Sequence, residues 1–114
     1  MNRDKLETII RVLEDVPDSE FNMGHWMCGT TGCAIGHAGH LIGLDMSSGM
    51  PVLGRRYGIS AVMECLDLSY DEVSGLFLWH EYSVNGLNYH DSVRLITKKM
   101  VIDKIRAFIG ESNA

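Results

Sequence analysis

Thirteen consecutive residues, Cys28-Gly29-Thr30-Thr31-Gly32-Cys33-Ala34-Ile35-Gly36-His37-Ala38-Gly39-His40, hold two of the chain's three cysteines, two of its five histidines and four of its twelve glycines. His25 and Trp26 stand just before them. Glycine weakens a helix, and cysteine and histidine bring reactivity or charge, so their concentration marks either a site or a point of close packing. Three chemistries fit the residue types. Tetrahedral zinc would take Cys28, Cys33 and His37, with His25 or His40 as the fourth ligand, since thiolates and imidazoles spaced three to five residues apart are usual zinc donors. A thiol reaction would use Cys33 near a helix N-terminus, where the dipole lowers a thiol pKa, with His37 or His40 as base. Close packing would use the cysteines as small hydrophobes and satisfy each histidine with backbone carbonyls. The C-x-x-C pair of redox enzymes and of strong zinc sites is missing. Cys65, alone in an apolar segment, is expected in the core.

Composition narrows the partners. The chain has 114 residues with 46% hydrophobic and 22% charged content, ordinary for one globular domain spanning residues 1–114. No apolar run approaches the roughly 20 residues a bilayer requires. Arg3 to Lys5 charge the start of the chain with no apolar segment behind them, so no secretion signal is expected. An odd cysteine count without such a signal fits a reducing cytoplasm. The net charge of −5 opposes nonspecific binding to nucleic acid, and the basic residues are dispersed. Neither DNA nor a membrane is an expected partner.

The elements that must position the cluster follow from apolar spacing. Leu6, Ile9, Ile10, Leu13 and Val16 recur at helical intervals from Arg3 to Asp15, and Pro17 ends the run. Thr30 or Thr31 is expected to cap a second helix reaching about Leu44. On that helix Ala34, Ile35, Ala38, Leu41 and Ile42 form an apolar stripe. Gly36, Gly39 and Gly43 form a second stripe, and Cys33, His37, His40 and Leu44 a third. Residues 45–58 read as loop. Ser60 opens a third helix, and Ser69-Tyr70-Asp71-Glu72 is a capping box for a fourth. His80 to Ser92 reads as loop, and Val93-Arg94-Leu95 is expected to pair with Pro51-Val52-Leu53. Thr97 caps the last helix, with Gly110 as its stop. The expected fold is mostly α, a compact single-domain helical bundle of about five helices with room for a short β-hairpin.

Two wordings resemble known patterns. Met63 to Leu76 resembles the helix-turn-helix of bacterial regulators, in which the residues after the serine meet base edges. Here those residues are Tyr70, Asp71 and Glu72, which would set negative charge against phosphate, and Asp67 replaces the usual turn glycine. More broadly, Phe21-Asn22-Met23 with Trp26, Cys28-Gly29-Thr30 with Cys33, Gly36-His37-Ala38, Leu66 to Phe77, and Ile96-Thr97 through Ile109 follow one pattern. They resemble a family of small bacterial and phage proteins marked by C-G-T-x-x-C-x-x-G-[HW]-A. The resemblance covers most of the chain and implies no reaction. It implies a phage or mobile-element accessory protein that inhibits a host defence complex, in the manner of an anti-CRISPR. The expected function is therefore a non-enzymatic, acidic interaction protein with a host protein partner. The alternative is a small zinc-binding or thiol-dependent protein built on His25, Cys28, Cys33 and His37.

Overall fold

The structure is a computed structural model that describes residues 1–22, 26–28, 31–77 and 96–112. Its first helix, α1, spans Arg3–Asp15, begun by Asn2, whose side-chain oxygen accepts the Lys5 N–H at 3.1 Å. Leu6, Ile9, Ile10 and Leu13 are buried along one stripe, as their spacing predicts. Pro17 follows, then a 3₁₀ turn at Asp18–Glu20. Strands β1 (Met27–Cys28) and β2 (Thr31–Gly32) form a small antiparallel hairpin, with Met27 opposite Gly32 and Cys28 opposite Thr31. Phe21 bridges to Gly32 from the other side, through the Asn22 N–H and the Gly32 carbonyl at 2.9 Å.

The second helix departs from its expected form. Thr31 is in a strand and Thr30 lies outside the described residues, so neither is seen to cap it; Cys33, in extended backbone, occupies that place without a side-chain cap. Helix α2 covers only Ala34–Ala38, and Gly39–Ile42 winds on as a tighter 3₁₀ segment. A 3₁₀ segment turns about 120° per residue instead of about 100°, so the stripes drawn for one long helix slip out of register. Ala34, Ile35, Ala38 and Ile42 are buried as expected, but Leu41 is turned outward and 60% exposed. Gly43 is no packing residue. It is exposed at φ +100°, the left-handed position that ends the segment, and the Leu44 N–H returns to the Gly39 carbonyl at 2.9 Å.

Strand β3 (Val52–Leu53) pairs with β4 (Arg56–Tyr57) around Gly54-Arg55, with Val52 opposite Tyr57 and Leu53 opposite Arg56. The expected strand near Pro51 is thus present, and a two-residue turn pairs it with β4. Val93–Leu95 and the expected loop from His80 to Ser92 lie outside the described residues. Helix α3 covers Ile59–Leu66, one residue ahead of Ser60, and α4 covers Tyr70–Phe77. The capping box of α4 is formed in both directions: Ser69 N–H to Glu72 at 2.9 Å, and Glu72 N–H to Ser69 Oγ at 3.2 Å. Helix α5 covers Lys98–Ser112, with Thr97 Oγ1 accepting the Met100 N–H at 3.2 Å. It runs two residues past Gly110, which therefore does not stop it. The five α-helices among the described residues share one apolar cluster, and α1 packs against α2, α3 and α5. No described helix is long and apolar enough to cross a membrane.

Asp67, between α3 and α4, is at φ 54°, ψ 53°. It holds the left-handed conformation that the glycine of the helix-turn-helix pattern would supply, and aspartate tolerates it better than most residues. Asp67→Gly is expected to gain up to about 1 kcal/mol in urea unfolding, whereas Asp67→Val loses about 1–2 kcal/mol, since a β-branched side chain clashes there.

Candidate functional site

The β2 strand delivers Cys33 to the first turn of α2 with its thiol inside the protein, 3% exposed. Its Sγ–H points to the Trp26 carbonyl at 3.8 Å. Burial pushes this thiol up from an ordinary 9.0 to about 11, while the N–H groups of Gly36, Ile35 and Cys33 pull it down. The helix terminus therefore acts in the direction expected, but desolvation wins. Burial thus works against the thiolate that the nucleophilic reading requires.

His37, one turn on, is half-buried, and its Nε2 stands 2.6 Å from the Glu20 carbonyl oxygen. A carbonyl only accepts, so Nε2 carries the proton. The bond ties α2 to the 3₁₀ turn at Asp18–Glu20 and satisfies a carbonyl at the end of that turn. His40 is exposed on the 3₁₀ segment. The stripe of Cys33, His37 and His40 is consequently split: the first points inward, the second along the surface, the third into solvent. Of the remaining proposed ligands, His25 lies outside the described residues, and Cys28 is placed only by its backbone in β1. Among the described residues no group of three or more histidine, cysteine or acidic side chains converges on a metal-sized point.

Sequence spacing misses a second polar cluster. Cys65, 5% exposed on α3, donates its thiol to the Ile42 carbonyl at 3.1 Å. Lys5 Nζ reaches over from α1 to the Cys65 carbonyl at 3.2 Å and lies 3.7 Å from its sulfur. Burial raises this thiol and the Lys5 charge opposes the rise. The expectation of a core cysteine holds, but the contact joins residues 60 apart and has no local signature.

Two surface features flank α5. A mainly apolar groove of about 390 Å³ lies between α4 and α5, floored by Gly75, Leu76, Ala107 and Phe108 and lipped by Asp71, Glu72 and Lys104. On the α1 side a cleft of about 410 Å³ is edged by Arg3, Arg11 and Arg106 with Glu7 and Glu14. The one sequence signal for the groove is the pairing of side-chain-poor residues, Gly75 and Ala107, on facing helices. Comparison of the chain with protein-family models, curated proteins and solved structures finds no match.

Cys33 yields a pH prediction whose sign is set by burial. Its folded pKa exceeds the unfolded one, so its contribution is intact below about pH 9 and declines as pH rises toward about 11. The gap is worth on the order of 2–3 kcal/mol. Urea unfolding of Cys33→Ala is expected to fall less between pH 8.5 and about 10.5 than that of the native chain; parallel losses would contradict the buried thiol. At neutral pH, Cys33→Ser should be less stable than Cys33→Ala, because a hydroxyl in that apolar place needs a better partner than a carbonyl 3.8 Å away. A chelator is expected to leave the native unfolding curve in place. A large drop in its midpoint would instead make folding metal-dependent.

Proposed function

We propose that this chain is a non-enzymatic, acidic interaction protein, of the kind that phages or mobile elements encode to inhibit a host defence complex, anti-CRISPR action included. The observation that carries the reading is the internal use of the cluster. Cys33 and His37 direct their polar atoms at the protein's own Trp26 and Glu20 carbonyls, holding a hairpin and a 3₁₀ turn against α2. Their chemistry is spent on shape. Recognition then falls to the surface, where net charge of −5 favours a basic partner and Leu41, 60% exposed, supplies an apolar anchor. Sequence-specific DNA reading is not proposed, since Tyr70, Asp71 and Glu72 are the exposed residues that open α4.

One observation favours zinc as the second reading. A histidine whose Nε2–H is held by a backbone carbonyl has its other nitrogen oriented for a metal, the usual outer-shell arrangement. His25, Cys28, Cys33 and His37 would then be the ligands.

The inhibitor reading is tested in bacteria whose CRISPR complex destroys an incoming plasmid. Expression of this chain is expected to restore plasmid uptake to the level of an untargeted control, and the purified chain to co-elute with the purified effector complex. Leu41→Glu should lose both effects at an unchanged thermal midpoint. Failure to restore uptake or to bind across the CRISPR types tried would sink the inhibitor reading.

A further inference from the structure

Helix α5 buries Val101, Ile105 and Ile109 on its inner side. At about 100° per residue, Asp103, Ala107 and Gly110 then face outward, and all three are exposed. The groove and the arginine-edged cleft lie on opposite flanks of this ridge. Each flank carries one charge that has no ion-pair partner among the described residues. In the cleft, Arg3 pairs with Glu7 at 3.1 Å and Arg106 with Glu14 at 3.6 Å. Arg11 donates only to Thr8 Oγ1, at 3.0 Å, and meets no carboxylate among the described residues. On the groove's lip, Glu72 is held by the Ser69 N–H, while Asp71 has no cation partner among the described residues.

We infer that this face pairs with a second copy of the same chain, α5 running parallel to α5 about a two-fold axis. The orientation follows from the charges. A two-fold axis along the helix direction exchanges flanks, so the cleft of each copy faces the groove of the other and Arg11 meets Asp71 twice. A two-fold axis across the helices would run them antiparallel and set groove against groove and cleft against cleft, so that Arg11 and Asp71 would not meet. The groove is shaped to receive an incoming chain: a Cβ built at Gly75 meets nothing within 4 Å, and Ala107 beside it is exposed. Leu76 and Phe108 line the apolar space on which the stem of an incoming arginine can lie.

The pairing is tested by sedimentation velocity on the purified chain alone, so its outcome is separate from that of the host-complex reading. The native mass is expected to climb with concentration from 12.7 kDa toward twice that value. Arg11→Glu and Asp71→Arg should each weaken association about tenfold or more, and the two combined should restore it, because the reversed pair is again opposite in sign. Gly75→Phe, which fills the groove, should also abolish it, with thermal midpoints recorded for every variant. A native chain that stays at 12.7 kDa up to about 1 mM, where even a weak complex would form, overturns the proposal. So does a dimer indifferent to the single reversals, or one that the double reversal fails to restore.

Discussion

The apolar stripe of α1 is the contact on which the other elements depend. Leu6, Ile9 and Leu13 are fully buried, and α2, α3 and α5 all pack on this helix. Burying each such side chain contributes roughly 2 kcal/mol, so the stripe anchors three interfaces together. Lysines fasten the ends of the arrangement. Lys98 at the start of α5 donates to the Val16 carbonyl at 2.5 Å and to the Glu14 carbonyl at 3.3 Å, covering the exposed end of α1. Lys5 does the same for α3 through Cys65. A cation at a helix C-terminus satisfies carbonyls that have no partner within the helix and opposes the dipole there.

Where the chain obeys one period, its fold is legible in the sequence. The extent of α1 follows from apolar positions at helical spacing and from Pro17; α4 follows from a capping box that forms as written. Legibility fails where the period changes. Nothing in the residues Gly39-His40-Leu41-Ile42 announces a tightening from α to 3₁₀, and one altered turn sends Leu41 to the surface instead of the core. The structure supplies a reason for glycine there. A Cβ at Gly39 would come within 2.6 Å of the Met46 sulfur, so it is the Met46 side chain that lies directly against the bare backbone at this position.

The candidate site divides along the same line. Residue types locate Cys33 and His37, because such residues are seldom placed without a reason, but type alone does not say what each polar atom meets. That depends on contacts across the fold: Trp26 and Glu20 carbonyls for the cluster, Lys5 and Ile42 for Cys65. The competition at Cys33 is also invisible in one dimension, since helix N–H groups and burial act on the same thiol in opposite senses and only the depth of burial decides between them. The Arg11 and Asp71 flanks are harder still, being defined by which of several neighbouring charges already have partners.

Cys33 and Cys65 are free thiols, each buried and each turned to a backbone carbonyl of a different element. One stands at the entrance of α2 and the other near the end of α3. An alkylating reagent can reach either sulfur only while the surrounding structure is open, so the modification rate at each position measures the free energy of that opening under native conditions. Equal rates at the two positions would mean that the α2 and α3 ends of the core open as one unit. Unequal rates would divide the molecule into parts of separate stability, with the hairpin and 3₁₀ turn around Cys33 read independently of the Lys5 contact around Cys65.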